Sequence, residues 1–149
     1  MQANLNPPPI GGVTRIADIV AALQKLKTEL GAGPGDWFIG QGYDQDMLAE
    51  KRHPTAADLD AAFPDNPVLI LHASGHMLVA NSRAFQAVKI DAATPDPEGG
   101  TIIRKPGGRE PLGLVQEMGM MAFQPIIKGA RKLEVDLDLI KRAVAHYAA

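Results

Sequence analysis

The chain has 149 residues, 46% hydrophobic and 21% charged, and 15 basic against 17 acidic residues leave a formal net charge of −2. This suits a single globular domain with its own core, carries no polybasic footprint for nucleic acid, and holds no apolar run near the ~20 residues of a membrane-crossing helix. With no cysteine, disulfides, thiolate metal sites and cysteine nucleophiles are excluded, so a metal would have to be held by His, Asp or Glu.

No basic stretch precedes an apolar one at the N-terminus, which places the protein by default in the cytoplasm. Two tyrosines and one tryptophan leave few stacking surfaces for single-stranded nucleic acid. Fifteen glycines and twelve prolines are spread between apolar segments, predicting many loops between short elements.

Leu5 to Gly12, with Pro7-Pro8-Pro9, predicts an extended lead-in. Thr14 is then expected to cap a helix whose stripe is Ile16, Ile19, Val20, Leu23, Leu26 and Leu30, ended by Gly31. After a Gly/Pro break, Trp37 to Gln41 reads as a short buried strand. Thr55-Ala56-Ala57-Asp58 is a capping box, with Asp in place of the commoner Glu, for a short helix through Phe63. Val68-Leu69-Ile70-Leu71 predicts a strand buried on both faces.

Asn81-Ser82 predicts the cap of a helix through Val88, and Thr94 to Gly100 is loop. Thr101 to Arg104 and Leu112 to Val115, about a Pro106-Gly107-Gly108 turn, read as a hairpin or as a strand running into a helix. A last helix over about Asp136 to Ala148 carries Leu139, Ile140, Ala143, Val144 and Tyr147 on one face. Alternating helices and strands predict an α/β fold in which right-handed crossovers make the two main strands parallel. The whole of 1–149 is read as one domain.

In parallel sheets and barrels, sites form at the carboxyl ends of the strands. Asp44 follows the first main strand; His72 and His76 follow the second. The two histidines are four apart, but Ala73-Ser74-Gly75 between them predicts a loop, so the spacing alone provides no zinc geometry. A third ligand would have to come from Asp44, with His53 a distant option. An imidazole at a strand end also commonly just bonds a neighbouring carbonyl. Ser74 lacks the full Gly-x-Ser-x-Gly setting of a nucleophile elbow, and Gly40-Gln41-Gly42 lacks the third glycine of a dinucleotide loop. Met118, Met120 and Met121 read as core filler or an apolar interface.

Several of these segments together resemble one family. Trp37-Phe38-Ile39-Gly40-Gln41-Gly42-Tyr43-Asp44 is followed by Pro54-Thr55, Asp58-Leu59-Asp60, Pro67-Val68, His72, Gly75-His76 and Asn81-Ser82-Arg83-Ala84. Thr94-Pro95-Asp96-Pro97-Glu98-Gly99-Gly100, Ile102, Arg104 and Gly113-Leu114-Val115-Gln116-Glu117 complete the series. In this order they resemble the amidohydrolase-3 branch of the metal-dependent amidohydrolase superfamily, which includes N-substituted formamide deformylases. The resemblance runs from about Asn4 onward.

The resemblance implies a (β/α)8 barrel with a small β-sandwich, hydrolysing C–N bonds of small amide-type substrates by a metal-activated water. The divalent ion expected in an intact enzyme is zinc. The family's His-x-His metal pair, which precedes the Asn-Leu-x-Pro-Pro segment, has no counterpart here, and its later ligands would follow Ala149. The expectation is therefore an internal segment of such a barrel: few parallel strands with flanking helices plus a β-hairpin. It would bind no metal, hold no catalytic residue of its own, be inactive alone and self-associate through exposed edges. Asp44, His72, His76 and Asn81 are assigned to the substrate pocket, and Asn81 also reads as a helix cap. The Glu98 to Gly113 stretch resembles a family hairpin. Two other readings stay open: a stand-alone α/β small-molecule binding module without catalysis, and a small metalloenzyme using Asp44, His72 and His76.

Overall fold

The computed structural model describes residues 1–148, with the side chains of 131–135 and 146–148 left aside. Six strands form one mixed sheet: β1 (Ala3–Asn4), β2 (Phe38–Tyr43), β3 (Val68–His72), β4 (Met77–Ala80), β5 (Gly100–Arg104) and β6 (Pro111–Glu117). Their order is β1-β2-β3-β4-β6-β5; β1, β2 and β3 run parallel, and the remaining pairs are antiparallel. The helices are α1 (Ile16–Leu30), α2 (Ala56–Asp60), α3 (Ser82–Ala87) and α4 (Gln124–Ala148).

The four apolar residues of β3 explain the layering. Successive side chains on a strand point to opposite faces. Val68 and Ile70 join Ile19, Leu23, Phe38, Leu59 and Phe63 in a core beneath α1 and α2. Leu69 and Leu71 join Ile39, Phe85, Val115, Phe123 and Ile127 in a second core beneath α3 and the start of α4. All five residues of β3 are buried, as its unbroken apolar run predicts.

Local rules hold at several element ends. The Thr55–Asp58 capping box forms in both directions: Thr55 N–H donates to Asp58 Oδ2 at 2.8 Å, and Asp58 N–H donates to Thr55 Oγ1 at 3.3 Å. Gly31 closes α1 in the left-handed region at φ 59°, bonding Lys27 and Thr28 carbonyls. The 100–117 stretch is a hairpin.

Three expectations change. Thr14 does not cap α1. Helix α1 starts after Arg15, Thr14 donates its N–H and hydroxyl to Asp18 Oδ2, and Ile16 N–H is received by the distant Glu50 carboxylate. Residues 77–80, given no element from the sequence, form β4, because the turn after His72 folds that apolar run back onto β3. The predicted last-helix stripe belongs to the longer α4 and is not packed: Leu139, Ile140 and Val144 are 57–63% exposed. Tyr147 falls outside the described side chains.

Asn81 sits where β4 ends and α3 begins, fully buried. Its Oδ1 accepts Val68 N–H at 2.9 Å and Ala84 N–H at 3.0 Å, while Nδ2 donates to the Phe63 and Asn66 carbonyls at 3.3 and 2.8 Å. One carboxamide thus caps α3 and satisfies backbone at the amino end of β3. Asn81→Ala would leave two N–H groups and two carbonyls unpaired in the interior. It is expected to cost about 3 kcal/mol or more, read as a lowered urea midpoint with an unchanged slope.

Candidate functional site

The carboxyl ends of the three parallel strands form one rim. Gly42, at φ 104°, is needed there because a Cβ would stand 2.6 Å from the Asn6 carboxamide on the β1 side. Ala73 N–H donates to Tyr43 O at 2.9 Å, tying the ends of β2 and β3 together. Asp44 then accepts Asp46 N–H at 2.9 Å and so caps the short 3-10 turn over Gln45–Met47.

His72 closes the β3 end of this rim and is 8% exposed. Ser74 N–H donates to its Nδ1 at 3.0 Å, and a peptide N–H can only donate, so Nδ1 is the acceptor. The ring proton therefore lies on Nε2, which donates to Gln45 Oε1 at 2.6 Å. Both nitrogens are committed, and the ring pins the post-β2 turn to the β3–β4 turn. Ser74 Oγ lies 2.9 Å from Nδ1 and accepts His76 N–H at 3.2 Å. With Nδ1 already accepting the Ser74 N–H, this hydroxyl secures a turn and is not an activated nucleophile.

Tyr43 and His53 stand beside His72. The Tyr43 ring meets His72 edge-on with centroids 5.1 Å apart, and its hydroxyl lies 2.9 Å from His53 Nδ1. The His53 and His72 rings are 5.9 Å apart. Burial pushes the Tyr43 hydroxyl pKa up, with Asp44 adding to it. Burial lowers the pKa of both histidines, and His72 lowers that of His53 further; Asp44 and Asp46 oppose these shifts. Near neutral pH the cluster holds neutral imidazoles beside a neutral phenol.

His76 is exposed in the same turn as Ser74, with Nδ1 3.2 Å from Glu117 Oε2. Asn81 does not reach the rim. It faces Val68 at the opposite end of β3 from His72, about 13 Å away at ~3.3 Å per residue. The structure thus brings Asp44, His72 and His76 to one end of the sheet and leaves Asn81 as an anchor at the other. Two depressions share Gln41. One of about 300 Å³ is lined by Asn4, Asn6 and Gly42; the other, of about 110 Å³, is lined by His72, Met120 and Gln124.

The sequence does not place Gln45 or Tyr43 among the site residues, offers Glu117 only as a carboxylate partner of Asp44 that spacing cannot test, and offers His53 only as a distant metal ligand. Gln45 shares the post-strand loop that singled out Asp44, a signal that could have found it. His53 has no such signal, since only the fold returns it to the strand end.

Because His53 and His72 have lowered pKa values, the unfolded chain binds protons that the folded chain refuses. The contribution of these two histidines to stability is expected to be flat above about pH 7 and to fall as pH drops below about 6.5, down to the folded values. Thermal unfolding across this window tests it: the slope should be shallower in His53→Gln and His72→Gln, and equal slopes would contradict it.

Residues 4–149 match the family model described as "Amidohydrolase family". The chain is 39% identical over 95 residues to a protein named as amidohydrolase YtcJ of Bacillus subtilis, covering 61% of this chain and 18% of that protein. It is 40% identical over 84 residues to the N-substituted formamide deformylase of Arthrobacter pascens, covering 56% and 15%. In fold it is similar to the crystal structure of an uncharacterized metal-dependent hydrolase from Pyrococcus horikoshii, with a TM-score of 0.58, 23% identity, and 85% and 20% coverage. The chain therefore spans a fifth or less of the length of these proteins. The match over residues 4–149 establishes that the chain belongs to the amidohydrolase family.

Proposed function

We propose that this chain is a segment of a metal-dependent hydrolase barrel that cleaves C–N bonds of small, non-peptide amides, and that it supplies one sector of the substrate pocket. The observation that carries this reading is the rim itself: three parallel strands end together, with His72 locked at the end of β3. Asp44 and His76 flank it as pocket-wall residues, while Asn81 supports the wall from the far end of β3. The deformylase relative makes N-substituted formamides the natural first substrates to try.

A divalent metal, when bound in such an enzyme, lowers the pKa of a water and polarises the scissile carbonyl. The residues present do not fit one. Among the described residues no group of three His, Asp or Glu side chains could hold an ion, and His72 has no free nitrogen. Zinc ligands would come from outside this chain, which by itself would be inactive. Its own residues bind and orient: His72 braces two loops, Asp44 shapes the turn carrying Gln45, and His76 offers a polar contact at the mouth.

The reading also accounts for the open surfaces. β5 has its outer side occupied, since Ile102 N–H donates to Asp96 Oδ1 and Arg104 reaches the Asp91 and Thr94 carbonyls. β1 is the end strand of the sheet, and the α4 stripe faces solvent. In a barrel both would be covered; alone they would favour self-association. The protein would work in the cytoplasm.

After incubation with zinc and removal of excess, elemental analysis is expected to find well under one metal per chain and assays no N-substituted formamide hydrolysis. About one metal per chain, lost in His72→Ala or His76→Ala, would overturn the reading. Sedimentation should show self-association that weakens in Ile140→Lys/Val144→Lys; a compact monomer would count against the exposed faces being barrel surfaces.

A further inference from the structure

Glu117 occupies a backbone conformation that its side chain does not favour. At φ 51° and ψ −123° it lies outside the left-handed helical well and matches the first central position of a type II′ turn, where glycine is the usual residue. A non-glycine residue held in such a region is strained, and such strain concentrates at functional sites. Packing does not explain why the residue is glutamate, because its side chain is 60% exposed.

What the carboxylate does is reach His76. Glu117 Oε2 lies 3.2 Å from His76 Nδ1, and the Glu117 N–H donates to His76 O at 2.8 Å, so backbone and side chain both hold the same residue. An ion pair this exposed adds little stability. Its chemical consequence is more specific: a carboxylate only accepts, so the neutral imidazole paired with it carries its proton on Nδ1. Nε2 is then left with its lone pair, and no protein partner for it is seen among the described residues. The His76 N–H is meanwhile anchored on Ser74 Oγ, which is itself bonded to His72.

We propose that Glu117 is a positioning residue, holding His76 as the Nδ1–H tautomer with Nε2 presented at the rim to accept a hydrogen bond from a ligand N–H. That the ligand is a small amide rests on the proposed function; tautomer control does not. It also gives the two rim histidines opposite tautomers, since His72 carries its proton on Nε2.

The test is two-bond proton–nitrogen correlation of the neutral His76 ring in the 149-residue chain, with thermal unfolding alongside. The wild type should show mostly the Nδ1–H form. Glu117→Gly, which relieves the backbone and removes the carboxylate, should shift His76 mostly to Nε2–H while Tm stays level or rises by a few degrees. Glu117→Ala removes the carboxylate but keeps the strain, and should shift the tautomer equally without the gain in Tm. Carbethoxylation of His76 should slow several-fold in both variants. A wild-type ring that is mostly Nε2–H, a tautomer ratio unmoved by either variant, or a lower Tm in Glu117→Gly would overturn the proposal. None of these outcomes depends on whether the chain belongs to an amide hydrolase.

Discussion

No residue of β3 faces solvent, and the rest of the molecule is arranged around that demand. Val68 and Ile70 require apolar cover on one side of the sheet, Leu69 and Leu71 on the other, and the backbone between them requires a strand on each edge. β2 provides one edge in parallel and β4 the other in antiparallel sense. The two senses imply different connections. A parallel neighbour needs a crossover, supplied by the segment containing α2, whereas an antiparallel one needs only the short turn after His72. That turn is where Ser74 and His76 lie, so the strand's need for a second neighbour places the polar residues at its end.

Both ends of β3 are closed by polar side chains, with different consequences. At the amino end Asn81 uses its whole hydrogen-bonding capacity on backbone, leaving nothing for a ligand. At the carboxyl end His72 is equally committed, yet it binds side chains and turns and sits among groups whose protonation burial restrains. The first is a structural lock. The second keeps a rim in shape while leaving Asp44 and His76 toward solvent.

Membership of the amidohydrolase family and coverage of a fifth or less of its relatives frame what such a rim can contribute. Substrate recognition in a barrel is spread over many strand ends. Three parallel strands end at the rim, and among the described residues no three His, Asp or Glu side chains converge there to hold a metal ion. The apolar stripe of α4 faces solvent, and β1 ends the sheet.

The sequence by itself determined the elements whose causes are local. The Thr55–Asp58 capping box, the Gly31 helix stop and the doubly buried Val68–Leu71 run each depend on residues a few positions apart, whereas the residues of 100–117 left a hairpin and a strand running into a helix both open. It also marked Asp44, His72 and His76, because strand ends in a parallel sheet are where polar residues gather. Only the tertiary structure decided that Glu50 caps α1 from 34 residues away, that 77–80 pairs with β3, and that Asn81 lies at the wrong end of the strand to share the rim. It alone brought His53 and Glu117 to the site. Propensity and periodicity act over one or two turns of chain. Hydrogen-bond partners and ring contacts are chosen by whatever the folded sheet brings within about 3 to 6 Å, regardless of their distance in sequence.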